Sequence, residues 1–235
     1  MLYNLNFEKI LFLDIETVPM VPEYNQLPEK FQKLWDKKAE RLKRDEDDTP
    51  DRLFGRAGIY SEFGKIICIS VGFIKNREFR IKSYYGDDER ILLKEFSELL
   101  DKYYNNRDHL LCAHNGKEFD YPYIARRLLI NGLPLPGILN IAGKKPWEIA
   151  HLDTMELWKF GDYKNYTSLE LLTAVFGIDT PKEDIDGSMV AEVYYNENDL
   201  ERIVQYCQRD TLTVAQLLLC YLGKPKIKDE DIIFA

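Results

Sequence analysis

Residues 10–17, Ile10-Leu11-Phe12-Leu13-Asp14-Ile15-Glu16-Thr17, join a short apolar run to two acidic residues. Four apolar residues in succession predict a buried strand that ends at the acids. Because side chains alternate along a strand, Asp14 and Glu16 lie on one side of it and Ile15 on the other. Two carboxylates this close repel each other, and a divalent cation bound to both relieves that repulsion. The alternative is a pair of surface acids where a strand ends.

The remaining hydrophobic pattern predicts an α/β protein. Further strands are predicted over residues 65–74, 78–85, 109–113 and 149–152, the first two as a pair joined at 75–77. Helical spacing of apolar residues predicts helices over 87–104, 119–130, 166–176 and 198–221, with Asn198 as the N-cap of the last. Strands that come first in antiparallel order and then alternate with helices predict a three-layer α/β fold with a mixed five-stranded sheet flanked by helices.

The length of 235 residues predicts a single domain over residues 1–235 with an insertion at about residues 20–60. We expect this insertion to be irregular. Within it, residues 36–48 carry six acidic and five basic side chains, which is typical of a solvated helix that runs into a loop. A mobile flap over the active site is the alternative interpretation of the same segment.

Composition and charge narrow the possible partners. The chain is 45% apolar and 31% charged, which is typical of a globular protein and excludes a wholly disordered one. Its 40 acidic and 32 basic residues give a net charge of −8, whereas a domain that neutralises many phosphates is usually basic. Any binding of nucleic acid must therefore use a local site, where cations cover the acids.

Several features indicate a cytoplasmic location. No apolar run approaches the roughly 18–20 residues of a membrane-spanning helix. Residues 1–9 lack the basic and apolar regions of a secretory signal. The four cysteines, Cys68, Cys112, Cys207 and Cys220, are widely spaced, so we expect buried thiols in a reducing compartment and neither a disulfide framework nor a zinc site.

A third acidic residue follows the phrase His114-Asn115-Gly116-Lys117-Glu118-Phe119-Asp120. Asn115 and Gly116 favour a turn after a strand, and Asp120 falls in the first turn of the next helix. A carboxylate is favourable there because the N-terminus of a helix carries a partial positive charge. Helix capping is therefore the alternative to a catalytic role for Asp120, and a core position is the alternative for Phe119.

The last helix places Tyr206 and Asp210 one turn apart, so that the hydroxyl and the carboxylate project side by side. Both residues lie beside the apolar stripe of the helix and border the protein interior. An acid in that position needs a partner. A simple contact between the two side chains at the surface is the alternative.

Together the three phrases resemble the motifs of the DEDD superfamily of 3′→5′ exonucleases, in the subtype that uses tyrosine. The resemblance is to the proofreading domain of family-B DNA polymerases and its free-standing relatives, over residues from about 9 to 221, and it implies a ribonuclease H-like fold. The residues that carry it are Phe12-Leu13-Asp14-Ile15-Glu16-Thr17, Asn115-x-x-x-Phe119-Asp120 and Tyr206-x-x-x-Asp210. Gln205 stands where the histidine subtype has its histidine. His151-Leu152-Asp153-Thr154 is also similar to this group, without a role for Asp153.

The resemblance implies a metal-dependent enzyme that removes nucleotides from the 3′ end of a strand. It implies that two divalent cations, Mg²⁺ or Mn²⁺, are held by Asp14, Glu16, Asp120 and Asp210. It implies that Tyr206 orients the attacking water. The implied contacts with the substrate are made by Ile15, Thr17, Asn115 and Phe119. The implied substrate is single-stranded DNA, with RNA left open; no membrane partner is expected, and nothing indicates which protein, if any, loads the strand.

Two other functions compete with this one. The phrase Leu13-Asp14-Ile15-Glu16-Thr17-Val18 also resembles the strand end of haloacid dehalogenase-type phosphatases, but those proteins have a second aspartate where this chain has Glu16. A phosphatase also leaves Tyr206 and Asp210 without a role. The second alternative is a catalytically silent nucleic-acid-binding module of the same fold, for which the loss of an acid would be the signature.

Overall fold

A mixed sheet runs through the centre of the molecule in a computed structural model that describes residues 5–162, 164–178 and 185–234. Its strands within the described residues are β1 (Ile10–Pro19), β2 (Gly64–Lys75), β3 (Glu78–Tyr85), β4 (Leu110–Ala113), β5 (Leu152–Asp153) and β6 (Ile232–Phe234). Their order across the sheet is β5-β4-β1-β2-β3-β6. The β1–β2 and β2–β3 pairs are antiparallel, and the other three pairs are parallel.

Helices cover both faces of the sheet. They are α1 (Glu29–Leu42), α2 (Pro50–Phe54), α3 (Glu89–Tyr103), α4 (Asp120–Ile130), α5 (Thr154–Lys159), α6 (Leu169–Phe176), α7 (Val190–Glu192) and α8 (Leu200–Tyr221). On one face, Leu11 and Leu13 of β1 pack with α3 and α4. On the other face, Ile10 and Phe12 pack with α8. The alternation of β1 between the two faces gives the predicted three layers.

The predicted mixed sheet is confirmed, but the predicted count of five strands is wrong. The strand pair around residues 65–85 has the predicted turn, where Asn76 and Arg77 adopt positive φ angles. The sixth strand is β6, which pairs in parallel with β3 at the edge of the sheet. Three residues are too few to show a period of two, so the sequence pattern did not reveal it.

Strand β1 is longer than predicted, because it continues through the acidic residues to Pro19. Its described pairing with β4 ends at Phe12, whereas its pairing with β2 continues to Pro19. A β-bulge shifts that register between Glu16 and Thr17. The acids therefore lie inside a strand whose neighbour on one side has already ended, and this leaves space beside them.

The insertion at residues 20–60 is not irregular, contrary to expectation. It contains α1 and α2, and it packs a small aromatic core around Trp35, whose exposed fraction is 0%. The Trp35 ring makes edge-to-face contacts with Phe54 and Phe63, at centroid distances of 5.4 and 5.1 Å. Its indole N–H donates to the Pro50 carbonyl oxygen at 2.7 Å. The predicted helix in the charged stretch is confirmed, since α1 ends at Leu42 and a loop follows.

The last helix begins one residue later than predicted. Asp199 is its N-cap, and the Asp199 carboxylate accepts a hydrogen bond from the Arg202 backbone N–H at 3.2 Å. Asn198 has a φ of 55° and instead closes the turn that precedes the helix. The helix predicted over residues 166–176 ends where expected, because α6 ends at Phe176 and Gly177 caps it with a φ of 53°.

The described cysteines are all free thiols, as expected. Cys68, Cys112 and Cys207 are buried, and Cys220 is half-buried. Within residues 5–162, 164–178 and 185–234, the helices lack the length and apolar character that crossing a bilayer requires. The N-terminal stretch considered above begins outside the described residues, which start at Leu5.

Candidate active site

A cavity of about 470 Å³ opens beside the acidic part of β1. Pockets of this size are typical of binding sites for small molecules and substrates. The described residues that line it come from β1, the segment after α2, the start of α4 and the region of α7 and α8: Asp14, Ile15, Glu16, Thr17, Pro19, Gly55, Arg56, Gly58, Ile59, Phe119, Gly187, Ser188, Ala191, Tyr206 and Asp210. Parts of the chain far apart in sequence therefore meet at one opening.

Strand β1 directs Asp14 and Glu16 toward α8. The two acids pair in register with Ser70 and Cys68 of β2, just before the bulge. Their carboxylates and the Cys207 thiol of α8 lie within 4.8 Å of one another. The thiol also donates a hydrogen bond to the Asp14 carbonyl oxygen at 3.4 Å, which joins the helix to the strand. Alternation along the strand predicted this shared side, but nothing in the sequence pointed to Cys207.

Helix α8 brings Tyr206 and Asp210 to the same cavity. The buried stripe of the helix includes Ile203 and Cys207, and both cavity residues lie beside it in half-buried positions. The helical spacing correctly predicted that they border the interior. The hydroxyl and the carboxylate therefore face the strand acids across the cavity.

Asp120 is the first residue of α4, and its exposed fraction is 3%. The backbone N–H of Ile15 donates a hydrogen bond to the Asp120 carboxylate. Since Ile15 stands between Asp14 and Glu16, the two acids of β1 (the strand acids), Asp120 lies next to them. Burial raises the pKa of Asp120 to about 8, and the charges of Asp153 and Asp210 add to the effect, while the Ile15 hydrogen bond opposes it. Helix capping alone would lower the pKa of an aspartate, so the raised value reflects burial first and the charges of neighbouring acids second.

Burial and mutual repulsion also raise the pKa of both strand acids. For Asp14, burial is the main cause, followed by the charges of Asp210 and Asp120. For Glu16, burial comes first and the charge of Asp14 second. The four carboxylates thus share one electrostatic environment, in which the charges of neighbouring acids add to the effect of burial on the pKa of Asp14, Glu16 and Asp120. Such a set of hard oxygen ligands fits divalent cations such as Mg²⁺ or Mn²⁺.

Raised carboxylate pKa values predict that the protein without bound cations loses stability as pH rises. The folded pKa of Asp120 is about 8, whereas an unfolded aspartate titrates near ~4. The proton on Asp120 therefore stabilises the fold fully below about pH 4, and this stabilisation is lost as pH rises through about 8. In EDTA, we expect the melting temperature to fall between pH 5 and pH 9, and Mn²⁺ to restore more of it at high pH than at low pH.

Two variants isolate this effect in thermal melts. Asp120→Asn removes the ionisation and should flatten the pH dependence. Asp101→Asn, at an exposed position on α3, changes the net charge equally and should leave the dependence unchanged. Identical pH profiles for wild type and Asp120→Asn would show that this carboxylate is not strained.

The turn that leads into α4 is held by Asp153, for which the sequence indicated no role. Asp153 is buried, and its two carboxylate oxygens accept hydrogen bonds from the backbone N–H groups of Asn115 and Lys117, each at 3.0 Å. The same carboxylate caps α5 by accepting from Met155 and Glu156. Aspartate is a preferred N-cap residue, but the sequence pattern predicted no helix directly after Asp153, so this role was missed.

His114 has a structural position in the same region. Its Nδ1 is 2.9 Å from the Thr154 hydroxyl, and its Nε2 is 3.0 Å from the Thr167 carbonyl oxygen. Both ring nitrogens are thus engaged, and burial lowers the pKa of the ring. His114 therefore joins the end of β4 to α5 and to the loop before α6.

The expected substrate contacts fall into two groups. Ile15, Thr17 and Phe119 line the cavity with the acids. Asn115, which has a φ of 63°, lines a neighbouring cavity of about 550 Å³ together with Lys117, Trp147 and Asp153. The cavity residues that the sequence did not indicate are Pro19, Gly55, Arg56, Gly58, Ile59, Gly187, Ser188 and Ala191. They are absent from the three motifs, and the sequence offered no signal for them.

Comparison with solved structures gives a similar fold. The family B DNA polymerase from the hyperthermophilic archaeon Pyrobaculum calidifontis matches with a TM-score of 0.50 and 18% sequence identity. The match covers 89% of this chain and 24% of the polymerase chain, so this protein spans about a quarter of the length of that enzyme. At this identity the match establishes the fold and leaves the activity open.

Comparison with protein families gives a match over residues 56–220, which is more than half of the chain. The matching family is described as part of the RNase H superfamily. The mixed sheet flanked by helices agrees with the ribonuclease H-like fold that the sequence motifs implied. This chain therefore belongs to the RNase H superfamily.

Proposed function

We propose that this protein is a metal-dependent 3′→5′ exonuclease that removes nucleotides from the end of single-stranded DNA. The observation that carries the proposal is that Asp14, Glu16, Asp210 and Tyr206 line one cavity. A fourth acid, Asp120, interacts with Asp14 and Asp210 and accepts a hydrogen bond from the Ile15 backbone N–H. A protein without a use for this cluster would bear the repulsion among its acids at a net cost.

Two divalent cations, Mg²⁺ or Mn²⁺, would be held by Asp14, Glu16, Asp120 and Asp210. When bound, they supply an activated water, a clamp on the phosphate and stabilisation of the leaving 3′-oxygen. The carboxylates keep such cations in place because they come from a sheet and two helices, which are rigid elements. The net charge of −8 is then compatible with an anionic substrate, because positive charge is concentrated at the reacting phosphate.

Tyr206 orients the attacking water by a hydrogen bond from or to its hydroxyl. Its contribution is the direction of the water, because the bound cations would supply the activation of that water. Phe119 offers an aromatic face to the terminal base, and Ile15 and Thr17 border the same space. Asn115 contacts the strand from the neighbouring cavity.

The competing functions account for less of the site. A haloacid dehalogenase-type phosphatase does not belong to this superfamily and has no use for Tyr206 or Asp210. A catalytically silent binding module has no reason to keep four mutually repelling carboxylates. We therefore propose an enzyme that acts on nucleic acid in the cytoplasm and in which residues 1–235 form one domain.

The test follows the shortening of a single-stranded DNA labelled at its 5′ end, with Mn²⁺ and with EDTA. A ladder that shortens from the 3′ end with Mn²⁺ alone is expected, and a circular strand of the same composition should stay intact. Parallel digestion of duplex DNA and of RNA measures the preference for substrate. Release of phosphate from p-nitrophenyl phosphate without any ladder would favour a phosphatase, and strand binding without cleavage would favour the silent module.

Replacing Tyr206 with phenylalanine should slow turnover by about 10–10³-fold, because one hydrogen bond that orients the water is lost. The affinity for Mn²⁺ should be unchanged, since the variant keeps every carboxylate. Asp210→Ala provides the contrast, because it should weaken Mn²⁺ binding as well as turnover. Calorimetric titration of Mn²⁺ into both variants measures the difference, and equal affinities for Asp210→Ala and Tyr206→Phe would contradict the assigned roles.

A further inference from the structure

The segment between α2 and β2 forms one wall of the acidic cavity. Gly55, Arg56, Gly58 and Ile59 line the cavity from this segment, which belongs to the insertion and lies outside all three acidic motifs. Arg56 and Ile59 are both exposed, with 47% of Ile59 accessible. The insertion therefore contributes directly to the space in which a substrate would lie.

This wall is held firmly against the rest of the protein. The Tyr123 hydroxyl of α4 donates to the Gly58 carbonyl oxygen at 2.6 Å, and an Arg127 N–H donates to the Ser61 carbonyl oxygen at 2.8 Å. Gly58 also packs so closely that a Cβ atom at this position would lie 3.0 Å from the Val18 backbone. The backbone around Arg56 is thus fixed between β1 and α4, so the Arg56 side chain extends from a fixed position.

The charge of Arg56 is unusual in this setting. Among the described residues that line the cavity, it is the only cationic one, and it shares this cavity with three carboxylates in a protein of net charge −8. No described acid forms an ion pair with its guanidinium. An arginine that is fixed at its backbone, and whose guanidinium forms no ion pair with the acids that the structure describes, is well suited to bind a phosphate, which guanidinium groups recognise with two parallel hydrogen bonds.

We propose that Arg56 is a positioning residue that binds the backbone phosphate on the 5′ side of the scissile one. This inference rests on the exonuclease function proposed above. The scissile phosphate belongs at the carboxylate cluster, whereas Arg56 stands on a separate wall that the strand passes as it leaves the site. The insertion would thereby make the enzyme prefer strands with at least two phosphodiesters over shorter substrates.

The test compares two substrates that differ in the number of phosphates. Oligothymidylate has a phosphate on the 5′ side of the scissile one, and thymidine 5′-(p-nitrophenyl phosphate) has the scissile phosphate alone. We expect Arg56→Ala to raise KM for oligothymidylate by about 10–100-fold, the range of a lost hydrogen bond to a charged group. Its kcat, and both constants for the nitrophenyl ester, should stay within about twofold of wild type.

Arg52→Ala is the matched control, because Arg52 is an exposed arginine on α2 that does not line the cavity among the described residues. It changes the net charge equally and should leave both substrates unaffected. Arg56→Lys should recover part of the lost affinity. In the Asp14→Ala background, where cleavage is blocked, Arg56→Ala should make the salt dependence of oligothymidylate binding shallower by about 0.7 in log–log slope.

The outcomes separate this inference from the proposed function. If wild type releases no nucleotides from oligothymidylate, the exonuclease proposal fails. If wild type is active and Arg56→Ala behaves like Arg52→Ala, the assignment of Arg56 is wrong while the exonuclease proposal stands. Equal loss on both substrates would also overturn the assignment, because it would place Arg56 at the scissile phosphate.

Discussion

Replacing Asp14 with alanine is expected to reduce nucleotide release by about 10³-fold or more, because Asp14 is a ligand at the centre of the proposed cation site. The same variant should melt at a higher temperature than wild type in EDTA. Its carboxylate is buried and repelled by Asp210 and Asp120, so its removal relieves strain that the cation-free protein must otherwise bear. Gel digestion with Mn²⁺ and thermal melting in EDTA measure the two effects.

Asp47→Ala is the control for this variant, because Asp47 is exposed in the loop after α1 and its loss changes the net charge equally. It should leave both the rate and the melting temperature unchanged. Activity of Asp14→Ala within tenfold of wild type would remove Asp14 from the active site. A lower melting temperature in EDTA would show that its carboxylate stabilises the fold.

Replacing Arg127 with methionine is expected to destabilise the protein by about 3–5 kcal/mol in the free energy of unfolding, because it leaves a buried carboxylate without its counter-charge. Arg127 and Glu89 are 6% and 7% exposed, and two guanidinium N–H groups donate to the Glu89 carboxylate at 2.8 and 2.5 Å. The Ile66 backbone N–H and the Asn131 amide also donate to this carboxylate. Urea unfolding followed by circular dichroism measures the loss.

The double variant Glu89→Leu/Arg127→Met tests the reason for this effect. It removes both charges, so it should be markedly more stable than Arg127→Met alone. Lys33→Met breaks the exposed pair of Lys33 with Glu29 on α1 and should change the free energy of unfolding by less than ~1 kcal/mol. If Arg127→Met and Lys33→Met cost the same, burial does not govern the strength of these pairs.

The sequence revealed the central features of the site because they depend on local geometry. Alternation along β1 placed Asp14 and Glu16 on one side, and helical spacing placed Tyr206 beside Asp210. These patterns need only the period of a strand or a helix. The family match and the mixed sheet then agree with the fold that the motifs implied.

The features that the sequence did not reveal depend on contacts between distant segments. Asp153 stabilises a turn that lies far before it in the chain. Its hydrogen bonds to Asn115 and Lys117 span 38 and 36 residues of sequence. Arg56 lines the cavity because Gly58 packs against β1, a contact that has no periodic signature. Trp35 and Phe54 of the insertion, and Phe63 just after it, are spaced without a regular period, and they form a core only when α1 and α2 meet.

Helix α4 carries Asp120, Tyr123 and Arg127 at intervals of three and four residues, so the three side chains share one face of the helix. Asp120, which binds the Ile15 backbone beside the cavity, and the two donors that hold the cavity wall therefore lie on one rigid helix. A shortened protein without residues 20–63 would leave the Tyr123 hydroxyl without the Gly58 carbonyl and Arg127 without the Ser61 carbonyl. The first turns of α4 would lose the groups that fix their rotation, and Asp120 would move with them. The insertion thus belongs to the smallest unit that can be transplanted or redesigned with this cavity intact.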